Sequence, residues 1–102
     1  MIFAALDEAA SKGELLLVEG GLCRYHARRD GTVTIRELLV LPACRGRGIG
    51  RSLVQQVQHR HPAAALTARC PVESQANGFW QSLGFELTSH GDEVNLWRRN
   101  PG

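Results

Sequence analysis

The chain has 102 residues, of which 43% are hydrophobic and 22% charged, and its formal net charge is +2. This composition excludes an intrinsically disordered chain and predicts a single domain over residues 1–102. No apolar run has membrane-spanning length, and Asp7 and Glu8 interrupt the apolar N-terminal residues, so we expect neither a transmembrane segment nor a signal peptide. The expected location is the cytoplasm, with no membrane partner.

The cysteines and histidines predict no metal site. The cysteines are odd in number and lack the paired spacing of metal ligands, as do the histidines in the second half of the chain. We expect reduced thiols at Cys23, Cys44 and Cys70. Cys44 stands beside Arg45, whose charge favours a thiolate, so a covalent acyl-cysteine is one alternative, although no histidine lies near it in sequence.

The first half of the chain predicts one helix and three strands joined by glycine turns. Gly13 ends the helix, and the pairs Gly20-Gly21 and Asp30-Gly31 are hairpin signals. The continuous apolar run after Gly13 predicts a strand covered on both faces. The helix is expected over 2–12 and the strands, as an antiparallel meander, over 15–18, 22–28 and 32–40.

The second half predicts two helices and three strands. An amphipathic helix runs to Arg60 before Pro62, and the short connection after it favours a strand parallel to residues 32–40. Ser74 is a candidate N-cap for a second helix, which Gly84 ends. The helical stripe is Ala76, Phe79, Trp80 and Leu83; the strands are expected over 64–68, 85–89 and 94–98.

The turn at residues 45–51 has the composition of an anion-binding loop. It holds three glycines and three arginines in seven residues, between an apolar strand and a helix. Glycines let a ligand approach the backbone, and free N–H groups at a helix start attract negative charge. A P-loop is excluded because Arg51 replaces the required lysine, and Arg51 also replaces the third glycine of a dinucleotide-binding motif.

Together with a second segment, this turn resembles the GNAT superfamily of N-acetyltransferases. The family's acyl-CoA loop reads Arg/Gln-x-x-Gly-x-Gly/Ala after a strand ending in Val-x-Pro, as do residues 45–50 after residues 40–42. A second signature, Ala-x-x-Phe-Tyr/Trp closed by Leu-Gly-Phe, matches residues 76–85. The resemblance covers residues 14–98, approximately, and implies an α/β (α+β) fold: a mixed, mostly antiparallel sheet with splayed central parallel strands and flanking helices.

The resemblance also implies an activity and a binding site. The activity is acyl transfer from acetyl-CoA, used as a co-substrate without a metal, to a primary amine that attacks the thioester directly. The pantetheine arm would lie along the end of the strand, and the pyrophosphate would bind the loop. The implied binding residues are Leu38, Leu39, Val40, Arg45, Gly46, Arg47, Gly48, Ile49, Gly50, Arg51, Asn77 and Trp80.

Two catalytic roles stay open. Glu37 is a candidate to accept the proton of the amine or to hold a cationic acceptor, unless it only pairs with Arg24 or Arg36; His26 is an alternative base. Trp80 stands where the family often has a tyrosine that protonates the departing thiolate, and an indole cannot act as that acid. Asn77 would hydrogen-bond amide groups of the ligand, or else only face solvent.

Three functions are therefore weighed. The first is an N-acetyltransferase acting on a small-molecule or peptide amine. The second is a non-catalytic CoA-binding module, which the absent tyrosine favours. The third, nucleic-acid binding, ranks last because the basic residues concentrate in one loop. Relative to the family, the front of the chain is short, so the acceptor site is expected to be open or to be completed by a second copy in a homodimer.

Overall fold

The computed structural model describes the backbone of residues 2–101 and the side chains of residues 4–101. The helices and strands alternate in an order that matches the expectation from sequence. The helices are α1 (Ile2–Ser11), α2 (Ile49–Arg60) and α3 (Ala76–Ser82). The strands are β1 (Leu15–Val18), β2 (Gly21–Ala27), β3 (Val33–Val40), β4 (Leu66–Pro71), β5 (Glu86–His90) and β6 (Val94–Arg99).

One mixed sheet contains all of these strands, in the order β1-β2-β3-β4-β6-β5. β1, β2 and β3 form the predicted antiparallel meander, and β4 runs parallel to β3. β6 pairs antiparallel with both β4 and β5. The expected α/β (α+β) fold with a mostly antiparallel sheet is confirmed.

The central parallel strands separate soon after they pair. Only three residues of β3 pair with β4, the last pair being Ile35 with Ala68, although the two strands continue to Val40 and Pro71. A bulge on β3 occurs at the same level, because β2 pairs Tyr25 with Ile35 but the preceding Arg24 with Glu37. The expected splay is present, and it leaves one edge of β3 without a neighbouring strand.

β1 corrects one expectation. Its apolar run predicts a strand covered on both faces, but Leu17 is 69% exposed while Leu16 is 5% exposed. The reason is the position of β1 at the edge of the sheet, where only alternate side chains face the core. A short apolar run does not reveal strand order, so this exposure could not be read from sequence.

The core lies between one face of the sheet and the helices α2 and α3. Leu53, Val54 and Val57 of α2 are fully buried there. Ala76, expected in the apolar stripe of α3, is exposed because it begins the helix instead of facing the sheet. β4 begins at Leu66 rather than at residue 64.

Local signals set the ends of α3. Ser74 lies one residue outside the N-cap position, which Gln75 occupies, yet its Oγ accepts a hydrogen bond from the N–H of Ala76 over 3.1 Å. At the other end Gly84 has φ +84°, and the N–H of Phe85 donates to the carbonyl of Trp80. This is the expected glycine-terminated helix end.

The opposite face of the sheet is covered unevenly. α1 lies beside β1 and β2, where Ala5 and Ala9 line a depression together with Arg24 and His26. Further along the sheet, Leu39 is 52% and Leu96 39% exposed. We call this uncovered part the open face; by alternation along the strands it carries Thr34, Glu37, Leu39, Thr67, Arg69, Leu96 and Arg98.

Candidate functional site

A cleft of about 540 Å³ lies against the end of β3, beyond its last pair with β4. It joins three segments that are distant in sequence: the end of β3, the loop before α2, and the start of α3. Its lining residues are Leu38, Leu39, Val40, Arg45, Gly46, Gly50, Ser74, Gln75, Ala76, Phe79 and Trp80. Seven of the predicted binding residues are thus brought together, namely Leu38, Leu39, Val40, Arg45, Gly46, Gly50 and Trp80.

The wall formed by β3 offers backbone groups to a ligand. Beyond Ile35 the strand has no pairing with β4, so its edge at Leu38–Val40 faces the cleft. An extended ligand that contains amides can pair with such an edge as an added strand would.

The loop before α2 exposes a row of N–H groups. Gly46 and Gly48 have φ of +81° and +78°, a conformation that side chains disfavour. Within the described chain, no hydrogen bond uses the N–H groups of residues 46–51. The first helical bond nearby runs from the N–H of Ser52 to the carbonyl of Gly48. Free N–H groups and the dipole of α2 therefore converge on one exposed turn.

The remaining loop residues surround the cleft instead of lining it. Arg47, Gly48 and Arg51 are exposed, and the side chain of Ile49 packs against the core. Arg45 turns back and donates a hydrogen bond from Nε to the carbonyl of Val40 over 3.2 Å. The guanidinium of Arg45 thus lies at the cleft, and Arg47 and Arg51 add two exposed positive charges to the same turn.

Aromatic side chains form the wall opposite the loop. Trp80 is 6% exposed and packs edge-to-face between Phe79 and Phe85, with ring centroids 5.1 Å away in each case. A Cβ on Gly50 would lie 3.1 Å from the ring of Phe79, so this glycine allows the loop and α3 to approach closely. The half-buried Phe79 borders the cleft, although its helical spacing predicted only a core role.

The cleft contains no tyrosine hydroxyl. The chain has one tyrosine, Tyr25, which lies on β2, is 1% exposed and donates to the carbonyl of Gly13. Ser74 is the hydroxyl that does line the cleft, although sequence suggested it only as a cap. The position of Ser74 at the cleft depends on the separation of β3 from β4, which no local sequence signal at Ser74 indicates.

Asn77 points into the protein rather than into the cleft. Its Nδ2 donates to the carbonyls of Pro71, Val72 and Ser74, and its Oδ1 accepts from Asn95 Nδ2 and Trp97 Nε1. The carboxamide is fully engaged, so it has no free donor or acceptor for a ligand amide. Nor does Asn77 face solvent, because it is half-buried.

Glu37 lies on the open face, outside the cleft lining. Its Oε1 accepts a hydrogen bond from Arg24 Nη2 over 3.1 Å, and its side chain is 32% exposed. The second oxygen, Oε2, has no hydrogen-bond partner within the described chain. His26, the alternative base, has its Nδ1 3.3 Å from Glu14 Oε1 at the α1 side of the sheet. Of these two candidates, Glu37 lies on β3, two residues beyond its last pair with β4, where the gap between the two strands begins.

The thiols lie outside the cleft lining. Cys44 is half-buried, whereas Cys23 and Cys70 are at most 2% exposed. Burial raises the pKa of the Cys23 thiol to about 12, which keeps it protonated and unreactive. Among residues 4–101, no group of three or more histidine, cysteine or acidic side chains is placed to hold a metal ion. In the same part of the chain, no helix is long and apolar enough to span a bilayer.

Sequence comparison identifies a domain family. A family model described as an acetyltransferase (GNAT) domain matches residues 2–87. A comparison with curated protein sequences finds no match to the chain.

Structural comparison finds the same fold in longer proteins. One is a protein from Desulfovibrio desulfuricans assigned to the GNAT family, with a TM-score of 0.76 and 19% identity over 94% of this chain and 76% of that one. A second, from Bacillus anthracis, is assigned as a streptothricin acetyltransferase in complex with acetyl coenzyme A; it has a TM-score of 0.74 and 18% identity over 93% of this chain and 68% of its own.

A third similar structure contains a peptide-like ligand. Arabidopsis thaliana Naa50, in complex with the bisubstrate analogue CoA-Ac-MVNAL, has a TM-score of 0.61 and 21% identity over 78% of this chain and 64% of its own. At these identities, the structural likenesses concern the fold alone.

Proposed function

The chain belongs to the GNAT family of acetyltransferases, and from this premise we propose that it transfers an acetyl group from acetyl-CoA to a primary amine. One observation carries the proposal. The unpaired edge of β3 leads directly into the loop whose N–H groups, at residues 46–51, have no partner within the described chain. An edge for amides followed by a site for phosphates fits the pantetheine arm and pyrophosphate of CoA.

Each part of CoA then has a place in the cleft. The two amides of the pantetheine arm pair with the backbone of Leu38–Val40, and Phe79 and Trp80 cover its apolar segment. The pyrophosphate accepts from the N–H groups at the start of α2, with the guanidinium groups of Arg45, Arg47 and Arg51 around it. Asn77 is left out of this site because its carboxamide is already bonded internally.

The reaction is a direct transfer. The amine nitrogen attacks the thioester carbon, the C–N bond forms, the C–S bond breaks and CoA leaves as a thiolate that takes up a proton. The gap between β3 and β4 would bring the amine to the thioester, and such positioning supplies a large part of the rate. We propose that the free oxygen of Glu37 receives the amine proton through water, while solvent supplies the proton for the thiolate because Trp80 cannot.

Calorimetry with acetyl-CoA, free CoA and ATP tests the site, and release of CoA thiol with a panel of amines tests the activity. We expect micromolar binding of both CoA species, little binding of ATP, and thiol release that depends on an amine. A folded protein that binds ATP as well as CoA would contradict recognition of the pantetheine arm. A folded protein that binds neither would contradict the proposal as a whole.

Trp80 favours a second function, that of a CoA-binding module without turnover. The wall position where the family often has a tyrosine holds an indole, and Tyr25 lies outside the cleft lining. Trp80→Tyr distinguishes the two functions. If the wild type binds CoA without turnover and Trp80→Tyr releases thiol with the same amines, the module is favoured; turnover by the wild type excludes it.

A further inference from the structure

Arg36 and Arg69 are the first residues beyond the last pair that joins β3 to β4. That pair is Ile35 with Ala68, so the two arginines stand on opposite sides of the point where the sheet opens. Both are exposed, and both line one depression of about 350 Å³ on the open face. The other residues that line it are Arg24, Arg28, Thr34 and Ile35.

The charge of these arginines is not neutralised within the described chain. Three carboxylates on this side of the sheet pair elsewhere: Glu37 with Arg24, Glu14 with His26 and Glu8 with Lys12. A fourth, Glu86, lies opposite Arg98 at the β5 edge of the sheet. No carboxylate of residues 4–101 lies within 4.0 Å of Arg36 or Arg69. Within the described chain, the guanidinium of Arg28 donates only to the hydroxyl of Thr34, over 3.5 Å.

The depression continues into a second one of about 500 Å³. Arg28, Thr34 and Arg69 line both, and Arg98 adds a further guanidinium whose Nε donates to Asn100 rather than to a carboxylate. The open face therefore carries a continuous basic trough, which we define by Arg28, Arg36, Arg69 and Arg98. Guanidinium groups spaced along a concave surface suit the oxygens of a carboxylate or a phosphate.

The trough and the CoA cleft meet at the same gap from opposite faces. Leu38 and Trp80 border the cleft on the core side, and Arg36 and Arg69 border the gap on the open side. An amine that enters the gap from the open side would therefore approach it beside these arginines. We propose that the acceptor is an acidic amine, whose carboxylate or phosphate group is held by Arg36 and Arg69 while its amine points into the gap. This inference rests on the proposed function, because the amine is an acceptor only if the cleft holds acetyl-CoA.

Two other occupants suit the trough less well. A second copy whose trough packed on this one about a two-fold axis would bring guanidinium groups against guanidinium groups, because no carboxylate lines the two depressions. A single-stranded nucleic acid would need exposed aromatic rings for its bases. Trp97 is the aromatic residue among those lining the two depressions, and it is 7% exposed.

Anion binding is measured first, by calorimetry on protein with and without saturating CoA, with malonate and inorganic phosphate as probes. We expect millimolar binding of malonate, of phosphate or of both to the CoA-saturated protein, weakened about tenfold or more in Arg36→Gln and Arg69→Gln. The matched control is Arg29→Gln, which removes the same charge from an exposed arginine outside the trough. The probe that binds more tightly shows whether the acidic group of the acceptor is a carboxylate or a phosphate. Equal losses in all three variants, or no binding of either probe, overturn the anion site.

Turnover is then compared for amino acids and their amides, which differ only in the acidic group. The kcat/KM of the wild type is expected to be about tenfold higher for the acids than for the amides. The double variant Arg36→Gln with Arg69→Gln is expected to lose this preference while keeping its affinity for CoA. CoA binding without any preference for acids sinks this inference and leaves the proposed function intact. Anion binding that depends on Arg36 in a protein that does not bind CoA sinks the proposed function instead. Tighter binding of a single-stranded oligonucleotide than of either anion, lost in the same variants, replaces the acidic amine with nucleic acid.

Discussion

The carboxamide oxygen of Asn77 accepts a hydrogen bond from the indole N–H of Trp97 over 2.9 Å. The same oxygen accepts from Asn95, a buried residue whose own Oδ1 lies 2.6 Å from His90 Nδ1. One side chain at the start of α3 thereby fastens a wall of the cleft to β6. A polar network of this kind specifies position, because removing Asn77 leaves the donors of Asn95 and Trp97 without this acceptor.

Replacing Asn77 tests this structural role. Asn77→Ala should lower the free energy of unfolding by about 2–4 kcal/mol, since it leaves buried donors on Asn95 and Trp97 unpaired. Urea denaturation measures the loss, and Gln81→Ala, at an exposed position of the same helix, is the control. CoA affinity of the folded fraction should stay within about twofold of wild type. A large loss of affinity with unchanged stability would return Asn77 to the binding site.

Gly50 tests the contact between the loop and α3. Gly50→Val places a Cβ 3.1 Å from the ring of Phe79, which must move into the cleft. The overpacking corresponds to about 1–3 kcal/mol, and we expect CoA affinity to fall by about tenfold or more while circular dichroism is retained. Gly78→Val is the matched control, because a Cβ there meets open space. Equal affinities of Gly50→Val and wild type would place CoA elsewhere.

Variants of the Glu37–Arg24 pair distinguish a proton-accepting role of Glu37 from a structural one. Glu37→Gln should lower kcat/KM by about a hundredfold and change the shape of its pH profile, because water then lacks a carboxylate to take the proton. Arg24→Gln breaks the same pair but keeps the carboxylate, so it should keep the shape of the profile. If the two variants behave alike, Glu37 only holds β2 against β3.

Glu14 predicts how stability depends on pH. Partial burial raises the pKa of its carboxyl, but hydrogen bonds from the Ala27 N–H and from His26 outweigh this and hold the pKa below its ordinary value. Glu14 therefore stabilises the fold above the unfolded pKa, about 4.3, and this contribution disappears as pH falls through the lower folded value.

The corresponding measurement compares thermal unfolding across pH. Glu14→Gln should be less stable than wild type by about 1–2 kcal/mol at pH 7, and the difference should shrink steadily below about pH 4. Glu86→Gln, at an exposed position of β5, should show no such pattern. A difference that persists unchanged at about pH 2 would mean that packing, not charge, is responsible.

The thiols should differ in their rates of alkylation. The half-buried Cys44 should react with iodoacetamide at pH 8, whereas Cys23 and Cys70 should react only after unfolding. For Cys23 the reason is burial, which raises its pKa to about 12. Mass spectrometry of trapped peptides measures the order; early labelling of Cys23 would show that the sheet opens locally in the native state.

Features set by neighbouring residues could be predicted from sequence. The hairpin turns, the span of α2 and the left-handed end of α3 depend on glycines and prolines within a few positions. The meander followed from short connections, and the exposed turn before α2 from a local density of glycine and arginine. Each of these features is determined by residues that are close together in the sequence.

Features set by distant residues could not be predicted. The engagement of Asn77 depends on Asn95 and Trp97, which lie on β6, and the exposure of Leu17 depends on strand order. Arg36 and Arg69 are separated along the chain and meet only because a parallel register aligns Ile35 with Ala68. Sequence placed arginines in the loop alone and therefore missed the basic trough.

The brief pairing of β3 with β4 divides the sheet into two halves, β1-β2-β3 and β4-β6-β5, joined by three residue pairs. Without ligand, amide exchange should distinguish the halves, since so few hydrogen bonds couple them. Under the proposed function, a pantetheine arm lying along Leu38–Val40 would supply backbone hydrogen bonds to the edge of β3 that β4 leaves unpaired. The co-substrate would then contribute to the stability of the sheet, and this edge of β3 would be hydrogen-bonded only while the co-substrate is bound.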